Sequence, residues 1–332
     1  WNIFIFHLIN NNYTMKNSYS NIFPFNKKIL NKTIKILKKG SLVGLPTETV
    51  YGLAGNAYSK KAVKKIFKLK GRPKFNPLII HYYGVKQVLN DVVINNNFKK
   101  LYKKLCPGPI TFILKKNKNS KINSLASAKL QTVAVRFPKH IVARSILKNI
   151  NYPLAMPSAN KSSYVSPVKA RDVYEEFKNK IKLIVDGGQS KVGIESTVVD
   201  LTKNPKILRP GIISSSHIEK ILKLKVKKNS SNPQLKSPGM LKKHYSPGIP
   251  VLINQNKSDR KSAYIYLGKK FINKKIFFSL SKSSNLNEAA SNLYKTFRLI
   301  KKQGFKKIQI HKIPLKGAGI AINDRIKRAA KN

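Results

Sequence analysis

From Gly40 to His81 the chain reads GSLVGLPTETVYGLAGNAYSKKAVKKIFKLKGRPKFNPLIIH, and this stretch constrains the fold more than any other. Ser41 to Leu45 is a short apolar run of strand length. Pro46, Gly52 and Gly55 break regular structure after it, so a glycine-punctuated loop is expected there. Ser59 is placed to cap a helix whose apolar residues Ala62, Val63, Ile66 and Phe67 follow a period near 3.6. Lys70, Gly71, Arg72, Pro73 and Lys74 form a basic turn, and Pro77 to His81 returns as a strand. Two strands thus deliver two polar loops, one rich in hydroxyls (Thr47, Thr49, Tyr51) and one in cations. Cations clamp phosphate and hydroxyls orient what lies beside it, which suits an anionic ligand. A solvated turn in a basic protein is the other reading.

Along the rest of the chain, Lys27 to Lys39 followed by Gly40 reads as an amphipathic helix with a glycine stop. Val85 to Leu89 and Phe98 to Leu105 are short helical patterns, and Thr111 to Leu114 a strand after the stiff Pro107-Gly108-Pro109 turn. Asn117 to Lys129 reads as a polar, mobile loop. Thr132 to Arg136 alternates and ends on an arginine at a strand edge, where a carboxylate or phosphate fits. Pro153 to Met156 is a short strand, and PSANKSSYVSP (157–167) a hydroxyl-rich loop whose side chains either meet phosphates or cap the helix starting near Val168. Lys182 to Asp186, Glu195 to Asp200 and Lys206 to Arg209 are strands, and His217 to Leu222 a helix. Glu195 and Asp200 suit either acid–base work or pairing with lysines and stay unassigned. From Val251 strands alternate with helices: Val251 to Ile253, Tyr264 to Leu267, Ile276 to Leu280, helix Leu286 to Lys302, Lys307 to His311, helix Ala318 to Ala330. That order implies a small parallel sheet. The Gly317-x-Gly319 pair is too weak a signal for a nucleotide site.

A chain of 332 residues with 41% hydrophobic content holds a large core and more than one domain. Its 67 Lys and Arg face only 12 Asp and Glu, a formal charge of +55. The lysines are spread along the whole chain, as compositional drift spreads them, whereas a nucleic-acid surface clusters them. Such a charge favours anionic partners at low salt. One cysteine, Cys106, permits no intrachain disulfide and suits a reducing, cytoplasmic setting; its apolar neighbourhood points to packing, not nucleophilic work. No zinc-binding spacing is present. Trp1 to Thr14 precedes the first methionine, Met15, and its apolar run is too short to span a membrane. It is read as upstream sequence translated with the protein, or as a dispensable tail. No later segment has the length of a transmembrane helix.

PTETVYGLAG followed by KGRPKFNPLIIH, then in order CPGPITFIL, TVAVRFP, PSANKSSYVSP, IVDGG, ESTVVD, ILRPG and SPGMLKKHYSP, closely resembles the YrdC-like family, the threonylcarbamoyl-AMP synthases. The resemblance covers roughly Phe25 to Pro250 by motif. It implies an open, twisted α/β domain over 24–222 behind a tail at 1–23, a linker at 223–249 that closes over nucleotide, and a second, smaller Rossmann-like α/β domain over 250–332. The implied reaction joins L-threonine, bicarbonate and ATP into threonylcarbamoyl-AMP and pyrophosphate, for transfer by further machinery to the adenosine beside a tRNA anticodon. Lys70, Arg72, Ser158 and Asn160 match the family's catalytic elements. Arg72, Asn76, Thr132, Ser158, Ser166, Arg209 and Tyr245 match its ATP contacts, and Thr49, His81, Arg136, Met156 and Ser196 its threonine contacts. Many members carry a smaller residue where this chain has Met156, which narrows the pocket. Mg2+ is expected on the phosphates, with few protein ligands. Weak RNA binding is a further expectation from the charge. Two alternatives stay open. One is a hydrogenase-maturation carbamoyltransferase, which brings zinc-binding cysteine pairs that this chain lacks. The other is a non-enzymatic RNA-binding module, for which a basic stripe or aromatic stacking motif is missing.

Overall fold

The computed structural model describes residues 19–228, 244–259, 261–271 and 275–331. Trp1 to Thr14 and the 237–243 part of SPGMLKKHYSP lie outside the described residues. In chain order the elements of the first domain are β1 (Ile22–Pro24), α1 (Lys27–Lys38), β2 (Val43–Leu45), β3 (Gly52–Asn56), α2 (Lys60–Lys70), β4 (Ile79–His81), α3 (Val85–Val88), β5 (Val92–Val93), α4 (Asn96–Leu105), β6 (Ile110–Lys116) and β7 (Thr132–Arg136). They continue as α5 (Ile141–Lys148), β8 (Leu154–Ala155), α6 (Ala170–Phe177), β9 (Ile184–Asp186), β10 (Thr197–Asp200), β11 (Lys206–Arg209), α7 (Ser215–Leu222) and β12 (Lys227–Lys228). Among the described residues the twelve strands form one sheet in the order β1-β9-β2-β3-β8-β4-β7-β6-β10-β11-β12, with β5 paired to β6. The sheet is mixed: β4 runs parallel to β7 and β10 to β6, while β2–β3 and β6–β7 are antiparallel.

Local chemistry explains the helices that frame the site. The Ser59 hydroxyl accepts from the backbone N–H of Ala62, and Gly71 stops α2 in the left-handed conformation at φ 60°. Ala62, Val63, Ile66 and Phe67 are buried, as their period predicts. Helices cover both faces of the sheet. Leu154 packs in the cluster with Leu37, Val43 and Ile146, and its neighbour Ala155 in the cluster with Val63, Ile80 and Phe112. Opposite sides for adjacent residues is the strand's two-residue period.

The second domain has β13 (Val251–Leu252), β14 (Ala263–Tyr266), β15 (Phe277–Ser279), α8 (Leu286–Lys302), β16 (Ile308–Ile310) and α9 (Ala318–Ala329). Its four strands pair in the order β13-β16-β14-β15, all parallel, as the alternation of strands and helices implies. Its core is continuous with the first domain: Val50, Val165, Val168 and Ile194 share one apolar cluster with Leu293, Phe297 and Ile322.

Three expectations are corrected and one helix is added. Gly52 and Gly55 sit inside β3 rather than in a loop. A Cβ on Gly52 would come within 2.3 Å of Met156 Cγ, and one on Gly55 within 2.8 Å of Leu42 Cδ2, so these glycines mark close packing rather than a break. Residues 22 and 23 belong to the sheet through β1 on β9, not to a tail, and buried Asn21 donates to the carbonyls of Lys178 and Ile181. The 117–129 stretch is packed: Ile122 and Ala126 are buried, and Ala126 accepts from the N–H of Leu78 at 2.8 Å. Helix α5, absent from the sequence reading, carries Val142, Ala143, Ile146 and Leu147 on its buried face, a period that would have revealed it.

Candidate active site

The ends of parallel strands β4 and β7 bring His81 and Arg136 side by side as register partners. Both are buried and both line a cavity of about 40 Å³. Arg136 Nη2 donates to Glu48 Oε1 at 2.7 Å, and the Lys139 N–H donates to Glu48 Oε2 at 2.9 Å. Burial alone would raise the pKa of Glu48; the charge and hydrogen bond of Arg136 outweigh it and hold the carboxyl below its ordinary value. The same guanidinium keeps its Nε buried with no partner among the described residues. Burial, and after it the charge of Arg136, pushes the His81 imidazole well below its usual range. Thr49 lies behind this wall, bonded to Thr47 at 2.9 Å. Ser196 is also buried, its hydroxyl 2.7 Å from that of Thr111.

The other wall is cationic, with Arg72 and Arg209 in its lining and Lys70 next to it but outside the lining. Lys70 and Arg72, expected on a basic turn, are 3% and 7% exposed, whereas Lys74 beside them is exposed. The solvated-turn reading therefore fails for the two residues that matter. Lys70 Nζ donates to the carbonyls of Ser158 and Asn160, tying the end of α2 to the hydroxyl-rich loop. Arg72 donates to Asn76 O, Asn76 Oδ1 and Pro77 O at 2.9, 2.6 and 2.8 Å. Burial, with the nearby charge of Arg209, lowers the Arg72 pKa to about 9. Burial and then Arg72 drive that of Lys70 well below the ordinary amine value. Arg209, at the end of β11, donates from Nε and Nη2 to Ser196 O at 3.1 and 3.0 Å. Cations that depress one another's pKa in a buried wall form a site that an anion would relieve.

Of the residues singled out from sequence, Arg72, His81, Arg136, Met156, Ser158, Arg209 and Tyr245 line the cavity itself. Asn160 shapes the loop, its amide donating to Lys161 O and Tyr164 O. Ser166 is buried and donates to Glu195 Oε1 at 2.6 Å. Thr132 does not reach the cavity: it pairs with Lys115 at the far end of β7 from Arg136. Tyr245, at φ 66° and fully buried, forms part of the cavity wall with His244, and its ring stacks on Tyr294 of α8 at 5.9 Å. Arg325 carried no sequence signal beyond its type, Glu48 stood inside the PTETVYGLAG motif without a role assigned to it, and Glu195 stayed unassigned because its partner lies 130 residues away. Among the described residues no group of three or more His, Cys, Asp or Glu is arranged to hold a metal. No described helix is long and apolar enough to cross a membrane.

Comparison with known proteins agrees with this geometry. A family model described as "Telomere recombination" (Sua5, YciO and YrdC proteins) matches residues 35–211, and one described as "Threonylcarbamoyl-AMP synthase, C-terminal domain" matches 213–331. The chain is 36% identical over 315 residues to a threonylcarbamoyl-AMP synthase of Pyrococcus abyssi, covering 89% of this chain and 92% of that one. It is 35% identical to that of Bacillus subtilis, covering 89% and 91%. A crystal structure of P. abyssi Sua5 complexed with L-threonine superposes with a TM-score of 0.86 at 33% identity, covering 93% of this chain and 97% of that one.

Proposed function

This chain belongs to the YrdC-like family in its two-domain form, that of the threonylcarbamoyl-AMP synthases, and we propose on that premise that it joins L-threonine, bicarbonate and ATP into threonylcarbamoyl-AMP and pyrophosphate. It is a nucleotidyltransferase acting on threonine and ATP. The observation that carries the reading is a single cavity with His81 and Arg136 on one wall and Arg72 and Arg209 on the other. A small carboxylate and a polyphosphate would each meet a guanidinium there.

In this reading Arg136, steadied by Glu48, takes the threonine carboxylate with its remaining donors. The threonine amine adds to bicarbonate with loss of water, giving a carbamate. A carbamate oxygen then attacks the α-phosphate, and pyrophosphate leaves. No protein nucleophile is required. The chain's part is to bring two anions together, by positioning and by charge. Arg72 and Arg209 are suited to the phosphates, and Lys70 holds the loop beside them through the Ser158 and Asn160 carbonyls. Ser158, Ser166 and Asn76 stand next to them. Mg2+ would enter on the triphosphate, whose oxygens are the hard ligands it prefers. Glu195, the carboxylate on the wall, is already paired with Arg325. Ligand pockets usually measure ~300–1,000 Å³, so a cavity of about 40 Å³ must open further to admit ATP. The product is a reactive mixed anhydride, and a separate transferase acting on tRNA would consume it in the cytoplasm.

The test is pyrophosphate release by the full chain with ATP and Mg2+, in the presence and absence of threonine and bicarbonate. Release that depends on both is expected; ATP cleavage indifferent to threonine would refute the reading.

A further inference from the structure

Among the described residues, Glu195 supplies the only carboxylate on the cavity wall, and two of its partners come from the other domain. Its Oε2 accepts from Arg325 Nε at 2.9 Å and from the Tyr294 hydroxyl at 3.0 Å. Its Oε1 accepts from Ser166 Oγ at 2.6 Å. Arg325 lies on α9 and is completely buried. Its Nη1 donates to Pro210 O at 2.9 Å and Asp324 Oδ2 at 2.7 Å, and its guanidinium carbon stands 5.1 Å from the Tyr245 ring centroid. Burial raises the pKa of Glu195, but Arg325 and then Arg209 overcome this and lower it to about 2, so the carboxylate is charged.

A charged carboxylate beside a triphosphate site works against binding unless something holds it. Two buried guanidinium groups bear on it: Arg325 bonds it directly, and Arg209 lines the same cavity. It is paired with Arg325, while Arg209 reaches Ser196, the very next residue. Where water is scarce, one carboxylate cannot serve two cations without neutralising the one it turns to. We propose that Arg325 and Tyr294 are positioning residues for ATP: they hold the Glu195 carboxylate on the second-domain side, so that its negative charge is kept from turning toward Arg209 and opposing the phosphates. This rests on the synthase reading above. It makes the second domain a working part of the site, because without it Glu195 turns toward Arg209 and takes the charge that the nucleotide needs. It also accounts for why Arg325, a costly residue to bury, sits with no exposed surface more than a hundred residues from its partner.

The experiment measures ATP affinity by calorimetry in the full chain carrying Arg325→Ala, Tyr294→Phe, or Arg325→Ala together with Glu195→Gln, with threonine-dependent pyrophosphate release run in parallel. Couplings between sites typically change affinity about 5–150-fold. Arg325→Ala is expected to weaken ATP binding within that range and to raise the KM for ATP more than it lowers kcat. Tyr294→Phe keeps the ring on Tyr245 and removes one hydroxyl, so it gives a smaller loss of the same kind. Adding Glu195→Gln is expected to recover most of the affinity, because no charge is left to hold back. A mere strut between domains would lower the melting temperature, spare the ATP affinity and gain nothing from Glu195→Gln. Unchanged ATP affinity in the folded variants, or a double variant no better than the single, overturns the proposal. If Arg325→Ala does not fold, Tyr294→Phe with and without Glu195→Gln reads the same coupling. If the unaltered chain binds ATP but releases no pyrophosphate, the synthase reading fails while these affinities still decide the present one.

Discussion

Arg72 illustrates how burial changes the meaning of a residue. On a turn it would be one cation among 67 Lys and Arg; at 7% exposure, with three bonds to Asn76 and Pro77, it is a fixed charge in the cavity wall. Removing one preorganised donor of this kind costs on the order of 10²–10³ in kcat. Arg72→Ala is expected to lose that much turnover. It also strands the carbonyls of Asn76 and Pro77, so a stability loss of about 1–3 kcal/mol should accompany it. Steady-state kinetics and a urea melt of the same preparation check both; near-normal turnover would remove Arg72 from the chemistry.

Strand β3 shows the same logic at the scale of an element. Gly52 lets the segment after β8 approach closely enough for Met156 to lie over it and line the cavity, while Gly55 makes room for Leu42 and for Ile66 of α2. Gly52→Ala drives a methyl into Met156 Cγ and Sδ, and overpacking of this sort costs roughly 1–3 kcal/mol. The flexible thioether is the part that can give, and the cavity lies beside it, so the KM for threonine should rise. Adding Met156→Ala should restore part of both melting temperature and KM. A KM that stays normal in Gly52→Ala would show that Met156 moves away from the site.

At the scale of the whole molecule, charge is distributed unevenly between surface and interior. All 12 acidic residues accept hydrogen bonds, among them Glu48 from Arg136, Asp91 from Tyr58 and Tyr82, and Glu195 from Arg325. The few acids are therefore structural, and the excess lysine decorates the surface. The Glu195–Arg325 pair joins the domains, and its pH dependence has a defined sign. The folded carboxyl titrates at about 2, below the ordinary 4.5, so its contribution is full above pH 4.5 and is lost as pH falls from there toward 2. Glu195→Gln should flatten that acid limb of a melting-temperature profile and leave its shape from pH 6 to 8 unchanged. An acid limb identical to that of the unaltered chain would show that other carboxylates set it.

Much of the architecture was legible because its causes are local. The cap at Ser59, the buried stripe of α2 and the whole of α8 follow from residues within a turn or two of one another, whereas β7, read as an alternating strand, is a strand buried at every position from Val133 to Arg136. The strand–helix alternation after Val251 likewise dictated a parallel sheet. The ordered run of motifs identified the family, and half of the residues that line the cavity were singled out from it. What only the tertiary structure decided are facts about distance through space. The burial of Lys70 and Arg72 depends on what packs over their turn. The strand at Gly52 depends on the neighbour that needs its missing side chain. Glu48 is 88 residues from Arg136, and Glu195 is 130 from Arg325. Chain-local preferences extend over a few residues, whereas charge pairing in a dry interior depends only on which groups the fold brings within reach.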